Sequence, residues 1–183
     1  MQVMKHMIPA LMLMLSAMPL SADPVRLADL SDPAEARQWR FFTDGVMGGV
    51  SSGTAVIDAG RLSLTGTVST ANNGGFIQVR REALTLPDGT DALRIRVRGD
   101  GQTYYLHLRT SATILPWQYY QAGFTAPPEW AEITLPLGDF RPSGALLPRA
   151  PSPGAVRSVA LVAYGRDHSA DVSLSDLWAE VTR

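Results

Sequence analysis

The sequence contains no cysteine. That excludes disulfide staples, thiolate metal sites and a cysteine nucleophile, so the fold has to rest on its apolar core. Lysine is nearly missing as well. Lys5 is the only one, and residues 23–183 carry fifteen arginines against seventeen carboxylates, a formal charge of −2. A chain without cationic surplus is a poor nucleic-acid ligand, because neutralising phosphates requires one. Histidine is scarce: beyond residue 22 only His107 and His168 remain, far apart and without metal-ligand spacing. No Asp-rich loop signals calcium, so neither metal nor cofactor is expected. Long apolar runs are confined to the start. Met7 to Leu20 is almost wholly apolar, yet shorter than the about 20 residues of a spanning helix. With Lys5 before it and Ser21-Ala22 behind it, residues 1–22 read as a secretory signal cut after Ala22. The expected product is a single domain, 23–183, in the periplasm or secreted, tied to a membrane only by an uncleaved leader.

What the chain does contain is short-period alternation. Leu62 and Leu64, Leu93, Ile95 and Val97, Leu106 and Leu108, Ile133 and Leu135, Val159, Leu161 and Ala163, and Val172, Leu174 and Leu177 each recur at strand spacing. Turn signals separate them: Asp58-Ala59-Gly60, Asn73-Gly74, Asp88-Gly89 and Asp100-Gly101. Only Asp32-Pro33-Ala34-Glu35 reads as a helix start, with Asp32 as cap and Glu35 reaching back to it. Eight to ten short strands and one short helix predict an all-β, jelly-roll β-sandwich. The Pro-rich stretch from Arg141 to Gly154 reads as a long loop in which Leu146 and Leu147 need cover.

The first candidate site comes from a predicted hairpin. Asp100-Gly101 is a favoured two-residue turn, and it would set Ile95 opposite Leu106 on one side, with Arg96 opposite Tyr105 and Arg94 opposite His107 on the other. Arg109 extends that face. Trp117, Tyr119 and Gln121 share one side of the next segment. Together they predict an arginine–aromatic groove, in which guanidinium forks meet carboxylates or hydroxyls and rings supply flat platforms. The plainer alternative is a solvated sheet face.

The Gly-rich run Asp44-Gly45-Val46-Met47-Gly48-Gly49-Val50-Ser51 and its downstream echo Asn72-Asn73-Gly74-Gly75 are the second candidate. Neither opens a helix, so a phosphate loop is excluded. Asp44 and Asn72 are candidate contacts at the loop ends, against the alternative of turn-forming residues. Gly49-Val50-Ser51-Ser52-Gly53 matches a nucleophile elbow by letter only, because a Gly-rich loop precedes it in place of an apolar strand and the strand-like Thr54 to Asp58 follows in place of a helix. Glu129 and Glu132 flank Trp130, but sequence alone sets no separation between two carboxylates.

Taken in order, Trp39, Asp44 to Ser51, Asn73-Gly74-Gly75-Phe76 with Arg80, Gly99-Asp100-Gly101 before Tyr104 to Arg109, Tyr120-Gln121 with Phe124, Trp130, and Leu135-Pro136-Leu137 with Asp139-Phe140 resemble the complex I intermediate-associated protein 30 family. The likeness runs from about Trp39 to Val181. It implies a galactose-binding-like jelly-roll and a non-enzymatic role, since mitochondrial members help assemble NADH:ubiquinone oxidoreductase by binding membrane-arm intermediates. An export signal would put this chain on the opposite side of the membrane from such members, and a fold does not carry its function with it. The expectation is a non-catalytic exported binding module for a protein partner or assembly intermediate. A carbohydrate-binding module using the same aromatics is the alternative, and a hydrolase built on Glu129 or Glu132 the third reading.

Overall fold

The computed structural model describes residues 23–182, so the expected leader lies outside the described residues. Twelve strands among them form two antiparallel sheets. In the first sheet, β3 (Ser52–Asp58), β4 (Arg61–Val68), β12 (His168–Val181), β6 (Thr90–Gly99) and β9 (Ala131–Pro136) lie side by side in that order, and β1 (Val25–Ala28) pairs with the second half of β12. In the second sheet the order is β10 (Arg141–Pro142), β8 (Tyr120–Thr125), β7 (Thr103–Thr110), β11 (Val156–Tyr164), β5 (Phe76–Arg81) and β2 (Trp39–Thr43). This is the expected jelly-roll sandwich.

The alternating positions meet between the sheets. Leu62, Leu64, Leu93, Ile95, Val97 and Val172 face Ile77, Val79, Leu106, Leu108, Val159 and Leu161, and all twelve are buried. Each such side chain contributes roughly 1.5–3 kcal/mol when fully buried. In β12 the pairing with β6 slips between Leu174 and Asp176. That bulge restores the inward side for Leu177, which strict alternation from Leu174 would point outward.

The α1 helix (Pro33–Ala36) begins as expected: the Asp32 carboxylate accepts from the Ala34 N–H at 2.8 Å. Glu35 does not reach back to the cap. Its carboxylate accepts instead from the Trp39 indole at 3.1 Å and from Arg81 at 3.0 and 3.2 Å, where a guanidinium offers stronger donors than a backbone amide. The Arg141 to Gly154 stretch contributes β10 and then buries Leu147, while Leu146 stays exposed.

The predicted hairpin across Asp100-Gly101 is not formed. β6 pairs with β12 on one side and β9 on the other, and β7 pairs with β11 and β8. The turn is a corner between sheets. It is held by Gly99 N–H to Pro127 O at 2.7 Å, Gly101 N–H to Ala126 O at 2.8 Å and Ala126 N–H to Gln102 O at 3.0 Å. The buried Tyr104 clamps it: its hydroxyl donates to Asp100 at 3.0 Å and accepts from the Asp171 N–H at 2.8 Å. Both strands keep their apolar side inward, but from opposite sheets. Their polar sides therefore face opposite surfaces of the molecule.

Candidate binding groove

Strand register lays out the outer face of the second sheet. One row crosses all six strands as Arg40, Arg80, Ala160, His107, Gln121 and Arg141. The adjacent row holds Phe42, Gln78, Val162, Tyr105 and Gly123. The small Ala160 and Val162 in mid-sheet leave a depression, and the larger side chains around them form its rim. The segment after β7 folds over one end and brings Trp117 and Tyr119 against it. The result is a groove of about 690 Å³ lined by Phe42, Met47, Phe76, Arg80, His107, Arg109, Trp117, Tyr119 and Tyr164, among others.

Rings dominate the groove. His107 and Tyr119 stack with centroids 4.1 Å apart and planes 7° from parallel. Tyr164 meets both edge-on, at 5.9 and 6.5 Å, and Tyr105 approaches Tyr164 at 6.1 Å. Such offset and edge contacts fix the rings in place. His107 is buried, and its Nε2 lies 3.2 Å from Gln121 Oε1. Burial lowers its pKa to about 4 against the partial opposition of the Gln121 hydrogen bond, so the imidazole is neutral near pH 7. Burial, then the neighbouring Tyr164 hydroxyl, raises the Tyr119 pKa. The stacked His107–Tyr119 pair is therefore uncharged near neutral pH.

Trp117 is the exposed part of this surface, at 66% of its free area. Its backbone is nevertheless tied down. The Ser143 hydroxyl donates to Trp117 O at 3.1 Å and accepts from the Tyr119 N–H at 3.0 Å. Arg109 donates through Nη2 to Leu115 O at 2.7 Å, and the Gln118 side chain accepts from the Leu115 N–H at 3.0 Å. An exposed indole on an anchored backbone is a preformed platform, which lowers the ordering cost of binding.

Asp44, a predicted contact at a loop end, points inward. It is fully buried beneath the Gly-rich run, and its carboxylate accepts from Ser51 N–H at 3.0 Å, Gly75 N–H at 2.6 Å, Phe76 N–H at 3.3 Å and the Ser51 hydroxyl. Burial raises its pKa, but the Ser51, Gly75 and Phe76 hydrogen bonds prevail and hold it below the usual carboxylate range. The glycines make room for it: a Cβ at Gly49 would lie 2.3 Å from the carboxylate carbon, and one at Gly74 2.4 Å from an oxygen. One carboxylate thus ties both Gly-rich segments together and sets the position of Val46 and Met47 at the groove. Ser51 is buried in the same network, and β3 follows it instead of the helix an elbow needs. Asn72 is exposed and adopts the left-handed conformation, φ 56°, expected of a turn residue.

The other predicted contacts divide between two surfaces. Tyr105, His107, Arg109, Trp117, Tyr119 and Gln121 gather on the second sheet's outer side. Arg94 and Arg96 do not join them, because they belong to the first sheet. There Arg94 pairs with Glu132 at 2.8 Å and with Glu180, and lies 4.4 Å over the Trp178 ring. Arg96 and Arg98 both lie over Trp130, at 5.3 and 5.5 Å. Glu132 is thereby an ion-pair partner on an open surface. Sequence reasoning missed Phe42, Phe76, Gln78, Arg80 and Tyr164. Their signal was present in the alternation of β2, β5 and β11, but it becomes legible only once β11 is known to lie beside β7, β5 beside β11 and β2 beside β5.

A jelly-roll sandwich with a ring-lined groove on one outer face is the class these features define. The chain belongs to the complex I intermediate-associated protein 30 family, whose model matches residues 28–174. No curated protein resembles it significantly in sequence. Among solved structures, the family 11 carbohydrate-binding module of cellulosomal cellulase Lic26A-Cel5E of Clostridium thermocellum is similar, with TM-score 0.64 and 14% identity over 87% of this chain and 95% of that one. The family 11 module from Clostridium thermocellum in complex with a β-1,3-1,4-mixed-linked tetrasaccharide gives TM-score 0.63 and 14% identity, again over 87% and 95%. An agarase, AgWH50C, gives 0.61 and 13%, over 87% of this chain and 25% of the agarase. At these identities the likeness is one of fold.

Proposed function

We propose that this protein is an exported, non-catalytic module that binds carbohydrate in the groove of its second sheet. The observation that carries the reading is the exposed Trp117 indole on an anchored backbone, in the same groove as the stacked His107 and Tyr119 rings and the edge-on Tyr164. Flat amphipathic rings match the apolar face of a pyranose, while Gln78, Gln118 and Ser143 along the groove offer hydrogen bonds to hydroxyls. The tetrasaccharide complex of a similarly folded module supports the choice of ligand class. Export rests on residues 1–22 alone. In a panel of soluble oligosaccharides, at least one is expected to raise the melting temperature, and Trp117→Ala is expected to reduce that shift markedly at the same ligand concentration without lowering the unliganded melting temperature. A full shift retained in Trp117→Ala refutes the site.

A protein partner is the second reading. Val46 and Met47 are aliphatic, highly exposed and sit at the groove wall, and the family's description concerns association with a complex I intermediate. Cross-linking in periplasmic extracts distinguishes the two: a partner lost in Met47→Asp, with no glycan response, favours this reading.

A further inference from the structure

The groove has a charge that its rings do not explain. Among the described residues lining it, Arg80 and Arg109 are the only ones with ionised side chains. Arg80 is partly compensated: Nε donates to Glu82 at 2.6 Å, and the guanidinium carbon lies 4.6 Å over the Phe42 ring. Arg109 has no carboxylate within 4 Å among the described residues, and its hydrogen bond goes to the neutral Leu115 carbonyl. Burial, then the nearby Arg80, push the Arg109 pKa down, and they prevail over Glu82, which pushes it up; the net direction is that of a cation short of counter-charge. The surplus is local, for residues 23–183 carry fifteen arginines and seventeen carboxylates.

A neutral ligand settling into this groove would strip water from Arg109 and return nothing for its charge. A ligand carboxylate would return charge-assisted hydrogen bonds, bidentate if it meets the guanidinium fork in plane. Register places the two arginines close together. Arg80 neighbours Ala160, Arg109 neighbours Ser158, and these positions alternate on the outer side of β11. We infer that the groove's ligand is an acidic oligosaccharide, a chain with uronic-acid units whose carboxylate sits at Arg80 and Arg109 while a neighbouring pyranose packs on Trp117 and Tyr119. This rests on the carbohydrate reading above and narrows it.

Isothermal titration calorimetry on the full chain tests it with oligogalacturonate and oligomannuronate, each beside its own methyl ester. The mixed-linked glucan tetrasaccharide, a sulfated oligosaccharide and hexaglutamate complete the set. Esterification removes the charge and leaves the skeleton. At least one uronate is expected to bind about tenfold or more tightly than its ester. Arg109→Gln and Arg80→Gln are each expected to bring the acid down to the level of the ester, and Arg98→Gln on the opposite sheet to change nothing. Equal binding of acid and ester, or binding of the neutral glucan alone, overturns this inference and leaves the carbohydrate reading standing. Tighter binding of the sulfated chain overturns the carboxylate assignment. Binding of hexaglutamate with no glycan, or of nothing at all, overturns both. If Arg109→Gln unfolds, the comparison of acid with ester on the unaltered protein decides the matter.

Discussion

The two outer faces of this sandwich are built from the same residue types and arrange them differently. The first sheet shows Arg94, Arg96 and Arg98 with Trp130 and Trp178. The second shows Arg80 and Arg109 with Trp117, Tyr119, Tyr164 and His107. On the first, the cations lie across the indoles and Arg94 is paired with two carboxylates, so the charges and rings satisfy one another. On the second, the rings stack or meet edge-on around small central residues, which leaves a hollow, an exposed indole and, among the described residues, a guanidinium with no carboxylate partner. Arginine and aromatic content therefore does not mark a binding face. What distinguishes the second face is depth together with a guanidinium that has no carboxylate within 4 Å among the described residues.

The strongest way to break the contrast is to remove the support beneath the groove. Asp44→Ala leaves the amides of Ser51, Gly75 and Phe76 without their acceptor. It should lower stability by about 1–3 kcal/mol for each buried donor left unsatisfied, and urea unfolding measures this. A loss below about 1 kcal/mol would mean that the Gly-rich segments hold their shape without the carboxylate.

Acid should separate the faces next. His107 has a folded pKa of about 4 against an ordinary 6.5. As pH falls, the unfolded chain takes up this proton first. The stability from a neutral His107 is thus complete above pH 6.5 and declines until pH 4, by about 3 kcal/mol in all. His107→Gln should flatten that slope in chemical-denaturation curves. Asp44 acts in a lower window: its folded pKa lies below 3.8, so its contribution is present above that value and is lost as pH drops through the depressed one.

Two paired indole truncations sharpen the comparison. Trp117→Ala should weaken ligand binding about tenfold and leave stability unchanged, because the ring is exposed. Trp130→Ala should leave binding unchanged and cost about 0.5–1 kcal/mol of cation–ring contact. A reversed pattern in calorimetry would assign binding to the first sheet. The smallest effect is expected for Glu132→Gln, which removes an exposed partner of Arg94. A change below about 1 kcal/mol is the norm for such pairs, and no change in binding should accompany it.

Much of the fold could be read along the chain. The expected alternation at Leu62 and Leu64 falls within β4, and the alternating leucines and valines are the buried ones. The site was half legible. Tyr105, His107, Arg109, Trp117, Tyr119 and Gln121 share a face because they lie on adjacent strands or on the segment joining them. Arg94 and Arg96 were misplaced because a hairpin and a sheet-to-sheet corner have one sequence pattern. Both need a Gly turn and both turn apolar residues toward a common interior. Only the partners on the far sides of β6 and β7 tell them apart, and those partners lie tens of residues away.

Local chemistry settled which residues face inward, where the chain turns and that no disulfide can form, because side-chain alternation and backbone conformational limits act over a few residues. The pairing of β7 with β11, and of β11 with β5, was settled only by the folded chain. That pairing brings Arg80, Arg109 and four rings around one hollow. Contacts between distant segments depend on how two whole sheets close over a shared core, and no short stretch of sequence carries that information.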